Sequence, residues 1–81
     1  MYTRQQFGKE LKEKIQKKID VTDIGIWAYD MYYKYMLEID NNFKNLLIDL
    51  NAMEDGPEFA RSYEELESIA DRLIAGEDVK L

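Results

Sequence analysis

The side chains in this sequence that could do proton-transfer or covalent chemistry include 17 carboxylates, six tyrosines and two serines, with no histidine and no cysteine. The missing imidazole and thiol remove the commonest nucleophile–base combinations and the usual transition-metal ligands. They also leave neither a disulfide framework nor a zinc–thiolate site. Ser62 and Ser68 are accounted for by a helix cap and a helix surface. Carboxylate pairs can act as general acid and base, but in an acidic helical chain neighbouring carboxylates form solvated faces, so no catalytic residue is assigned. Glu54, Asp55 and Glu58 gather in one turn without the D-x-[DN]-x-[DN]-G spacing of a calcium loop, so no metal ligand is assigned. Gly8, Gly25, Gly56 and Gly76 stand apart, and none belongs to a phosphate-cradling loop. Neither enzymatic activity nor a cofactor is expected.

What remains is recognition, and two features carry it. The first is WAYDMYYKYM, residues 27–36, where Trp27, Tyr29, Tyr32, Tyr33 and Tyr35 make up half of the ten aromatic residues in the chain. The second is the distribution of charge. Residues 1–39 stand at +1 and residues 40–81 at −7, for a net charge of −6. An acidic surface repels nucleic acid and steers basic partners toward itself.

Four helical segments must position these groups. Thr3 opens the first, where T-R-Q-Q fits a capping box and Phe7, Leu11 and Ile15 recur every four residues. Lys9, Lys12, Lys14, Lys17 and Lys18 occupy its flanks, the last two suiting the negative end of the helix dipole. The second segment starts with Thr22 as N-cap, has Val21 and Ile26 spaced as a hydrophobic staple, and runs to about Glu38 or Ile39. IGIWAY alternates like a strand, but its neighbours keep helical spacing. The third covers Asn41 to Glu54 with Asp40 or Asn41 as cap, and Phe43, Leu46, Leu47, Leu50 and Met53 form its buried face. Asp55-Gly56-Pro57 ends it. The fourth begins at Ser62 with a second capping box, S-Y-E-E. Its core face is Leu66, Ile69, Ala70, Leu73 and Ile74, and Gly76 stands in the C-cap position. The expected fold is all-α: a compact antiparallel four-helix bundle forming one domain over residues 1–81. The second helix, richest in apolar residues, is expected to be the most surrounded.

At 100° per residue, Ile24, Ala28, Met31, Tyr35 and Ile39 fall on one face, with Tyr32 at its edge. Asp30, Lys34 and Glu38 form a polar line of alternating sign. Between them lie Ile26, Tyr29, Tyr33, Met36 and Leu37. Roughly three-quarters of the circumference is apolar, against the single sector that a bundle helix ordinarily buries. Either this helix is central and all its aromatics pack, or Tyr29 and Tyr33 stay exposed as a contact patch, a role tyrosine suits through its large area and polar tip. On the fourth helix Glu64, Glu67 and Asp71 share one side, near Glu54, Asp55 and Glu58 in the preceding loop. Only Arg61 and Arg72 are close enough in sequence to neutralise them. Such like charges serve solubility or meet a basic partner.

Other partners are disfavoured. One short lysine face set against a net charge of −6 binds phosphates poorly, and the first-helix lysines are expected to pair with the acidic half of the chain. The apolar stripe of that helix is too narrow for a membrane surface, no apolar run approaches a membrane span, and MYTRQQFGKELKEK turns polar too early for a leader. A cytoplasmic protein is expected.

The succession I-D-V-T-D-I-G-I-W-A-Y-D, N-N-F-K-N-L-L-I-D-L and S-Y-E-E-L-E-S-I-A-D-R-L-I over residues 15–75 resembles, in helix order and character, bacterial toxin-immunity proteins against colicin-D-like and contact-dependent-inhibition toxins. Immunity proteins of DNase colicins are likewise small acidic bundles with a tyrosine pair. Their pair precedes a proline-containing loop, whereas Tyr32-Tyr33 here runs on into Lys34. The resemblance implies a basic toxin domain, a nuclease, as partner and occlusion of its active site as mechanism. Glu54, Asp55, Glu58, Glu64, Glu67 and Asp71 would mimic substrate phosphates, and Tyr29 and Tyr33 would be the central anchors. The same aromatic face would also serve a homodimeric adaptor that needs no toxin.

Overall fold

Side-chain caps decide where each helix begins. In the computed structural model, which describes residues 1–81, the Thr3 hydroxyl accepts the Gln6 N–H (3.1 Å) and the Gln6 side chain accepts the Thr3 N–H (2.9 Å). This reciprocal capping box heads α1 (Arg4–Gln16). Ser62 and Glu65 repeat it at the head of α4 (Tyr63–Ile74). Asp40 caps α3 (Asn41–Asn51) by accepting the Phe43 N–H. The cap of α2 (Val21–Tyr35) is Asp20, not Thr22: its carboxylate accepts the Thr22 N–H at 2.9 Å and sets the start two residues earlier than expected. Val21 thus becomes the first helical residue and Ile26 points to solvent, so no staple forms.

The helices also end by local rules. α1 closes with Lys18 in a left-handed conformation (φ 58°), and the Ile19 N–H reaches back to the Lys14 carbonyl. Gly76 (φ 88°) supplies the left-handed residue after α4. α2 stops at Tyr35, short of Glu38. Residues 36–38 continue as a turn in which the Glu38 and Ile39 N–H groups both bond to the Tyr35 carbonyl. After α3 the chain tightens into single 3₁₀ turns at Ala52–Glu54 and Pro57–Phe59. No strand forms over IGIWAY or elsewhere.

The chain is an all-α bundle made of two antiparallel helix pairs. In one, Gly8 of α1 lies against Ala70 and Leu73 of α4, where a Cβ would come within 2.9 Å of the Ala70 carbonyl oxygen. In the other, Gly25 of α2 lies against Leu50 and Glu54, where a Cβ would sit 3.1 Å from the Leu50 carbonyl oxygen. The Asn51 amide donates to the Gly25 carbonyl across that contact. The two isolated glycines are therefore the points of closest helix approach. Phe7 joins the pairs, stacking on Trp27 at 4.6 Å between centroids and meeting Phe43 edge-on at 5.8 Å.

All the expected core residues of α1 and α3 are buried, as are Leu66, Ile69, Ala70 and Leu73, while Ile74 is half-buried. The expectation that the second helix is the most surrounded is overturned: α2 fully buries only Ile24, Gly25 and Ala28. Met31, Tyr32 and Tyr35 only lean on the core as partly buried groups. Part of what covers it comes from outside the helices. Tyr2 is buried with its ring parallel to Tyr35 at 4.2 Å, and Val79 packs from the C-terminal segment. Burial, then the hydrogen bond to Glu10, pushes the Tyr2 hydroxyl up from its ordinary value. No helix is long and apolar enough to cross a membrane.

Arg4 ties three segments together, pairing with Asp40 at 2.8 Å and Asp78 at 2.7 Å while lying over the Phe43 ring. The Phe43 N–H, and after it Arg4, holds the Asp40 carboxyl below its ordinary 3.8. The fold thus favours the charged form, so its contribution is present above that value and is lost as pH falls through and below it. The melting temperature is expected to hold from pH 7 to about 5 and to decline below about 4. Asp40→Asn keeps a capping oxygen and should make that decline shallower, as a thermal melt across the pH series will show.

Candidate partner-binding surface

What α2 buries defines what it leaves outside. Ile24 and Ala28 enter the core, Gly25 admits α3, and Trp27 is held between Phe7 and the Lys14 ammonium, 4.7 Å from its ring. The remaining sector carries Ile26, Tyr29, Tyr33 and Leu37 at 42, 47, 71 and 96 % exposure. At 1.5 Å per residue this ridge is roughly 16 Å long. Tyr29 and Tyr33 are therefore surface groups, and the arrangement in which all the aromatics of this helix pack does not form. Tyr29 leans on Tyr32 with centroids 6.0 Å apart.

Ile48 of α3 is a further outward-facing apolar residue, beyond those assigned from the sequence. α2 and α3 run antiparallel with Gly25 against Leu50, which puts Tyr29, one turn along, level with Leu46. Ile48 is 46 % exposed. Its position outside the Phe43–Leu46–Leu47–Leu50 face was the available signal. Phe59, in the second 3₁₀ turn, is exposed as well, and no periodicity marks it.

The carboxylates divide into three places. Glu54 and Asp55 close the 3₁₀ turn that packs on α2, beside Val21, Thr22 and Gly25, at the N-terminal end of the ridge. Glu58 lines a separate open cleft with Asp49, Phe59, Arg61 and Glu65. Glu64, Glu67 and Asp71 are exposed on α4, which packs on α1 and barely touches α2. Glu54 and Asp55 thus lie on the same helix pair as Tyr29 and Tyr33, at its α2 N-terminal end, while the α4 carboxylates ride on the other pair.

Neutralisation also differs from the sequence expectation. Arg61 pairs with Glu65 and Arg72 with Glu77, so neither reaches the α4 cluster. Asp71 is instead held by Lys12 at 2.6 Å, and that bond raises the Lys12 pKa. This is the pairing of first-helix lysine with acidic half that the charge distribution suggested. Glu54, Asp55, Glu58, Glu64 and Glu67 enter no ion pair. No group of three carboxylates converges as a metal site would require.

Neither a family model, nor a curated protein, nor a solved structure matches the chain.

Proposed function

We propose that the protein is a non-enzymatic, cytoplasmic inhibitor of the immunity kind, which binds a basic toxin domain and covers its active site. The observation that carries this reading is the ridge Ile26–Tyr29–Tyr33–Leu37, four large side chains turned outward, three of them on α2 and Leu37 just beyond its end. A ridge of this sort costs solubility and contributes little to the fold, which is the usual mark of a surface meant for another protein. Tyr29 and Tyr33 stand at its middle, where interface anchors concentrate.

The unpaired carboxylates supply the second half. Glu54 and Asp55 flank the ridge, and Glu58, Glu64 and Glu67 extend the negative field beyond it. Carboxylates at such positions attract the lysines and arginines with which a nuclease holds phosphates, speeding encounter and occupying those cations. Asp71 is already engaged by Lys12, so it joins a partner only by exchanging that lysine.

The test is to immobilise the chain as bait in lysate of its source cells. A basic protein should be retained, and its nuclease activity should fall to zero as one equivalent of the chain is added. Retention of only acidic or neutral proteins, or undiminished activity in the complex, contradicts the reading. Reversing Glu64 and Glu67 to lysine leaves the Lys12–Asp71 pair intact. It should slow association at low salt by about tenfold or more, measured by stopped-flow fluorescence. An unchanged rate would remove the electrostatic half of the mechanism.

A further inference from the structure

We infer that the outward ridge of α2 also pairs with itself, so that the free protein forms an antiparallel homodimer through α2. The inference is independent of whether a toxin is the partner, because it rests on a charge pattern that complements its own reversal.

Asp30 and Lys34 lie along one edge of the ridge, both exposed. Though spaced i, i+4, they form no ion pair with each other or with any other group in the chain. Lys34 only rests over the Tyr35 ring, 5.3 Å from its centroid. Two antiparallel helices related by a two-fold axis meet edge to like edge, with their heights reversed. If the axis passes at Tyr32, Asp30 stands two residues before it and Lys34 two after. Each Asp30 is then level with the second copy's Lys34, and the edge forms two ion pairs.

The same placement aligns the apolar residues. Ile26 comes level with the second copy's Leu37 and Tyr29 with its Met36, each within about one residue rise of 1.5 Å, and the two Tyr33 rings meet beside the axis about two rises apart. Met36 keeps helical backbone angles (φ −56°, ψ −26°), so the register extends to Met36, and Leu37 follows at the start of the turn. Shifting the centre by one or two residues sets Asp30 level with Tyr32, with Met36, with itself or with the like-charged Glu38, and none of these forms an ion pair.

The net charge of −6 on each copy opposes association. At about 0.15 M salt, screening over about 8 Å confines that repulsion while leaving the seam contacts intact. A ridge this short gives a dimer that dissociates on dilution rather than an obligate one. A toxin and a second copy would compete for it.

Sedimentation equilibrium tests the pairing. Over about 10 µM to about 1 mM protein, the wild-type mass is expected to rise from 9.6 kDa toward twice that value. D30K and K34D should each weaken association by about tenfold or more, because each places like charges opposite one another twice. The D30K/K34D double variant, and an equimolar mixture of the two single variants, should each return to within about threefold of wild type. Both sites are exposed, so circular dichroism is expected to show unchanged helicity in every variant. A mass of 9.6 kDa at all concentrations overturns the inference. So do single variants that associate as well as wild type, or a mixture that associates no better than its components.

Discussion

Replacing Phe7 with alanine is expected to cost about 3–5 kcal/mol of stability, a large share of the 5–15 kcal/mol typical of a domain. Phe7 has no solvent exposure. Its ring stacks flat on Trp27 of α2 and meets Phe43 of α3 edge-on, while its own helix packs on α4. Truncation therefore opens a void where the two helix pairs meet, bounded by elements that the glycine contacts already hold close. Urea unfolding should show the loss, and Trp27, the only tryptophan, should report the changed environment in its native-state fluorescence. A loss below about 1 kcal/mol would mean that the pairs are not joined through this ring.

What the sequence could reveal depended on how local each determinant is. The capping boxes at Thr3 and Ser62 and the buried faces of α3 and α4 were legible because each lies within one helix and repeats with its period. At the start of α2 two capping residues compete two positions apart, and the Asp20 carboxylate takes the place read for Thr22. The breadth of apolar surface on α2 was plain, but which part faces inward was not. That is fixed by Gly25 admitting α3 and Phe7 covering Trp27, both contacts between elements distant in sequence. Tyr2 and Val79 escaped notice as core because single residues in short terminal segments have no period to read. The Lys12–Asp71 pair spans 59 positions, so it awaited the register of α1 on α4.

The tyrosines on α2 should behave in the opposite way to Phe7. Tyr29→Ala with Tyr33→Ala is expected to change stability by no more than about 1 kcal/mol, since both side chains are already largely in water. For a basic partner seated on the ridge, the same change removes two central anchors. With each truncation costing about 2 kcal/mol or more, binding should weaken by about 100-fold or beyond.

The measurement that bears most directly on the ridge is the affinity for the basic partner proposed above, determined calorimetrically for the wild type and the Tyr29→Ala/Tyr33→Ala variant at one salt concentration. A loss of about 100-fold in a variant that melts with the wild type is the predicted result. Equal affinities, or a variant that no longer folds, would contradict the assignment of this face to binding.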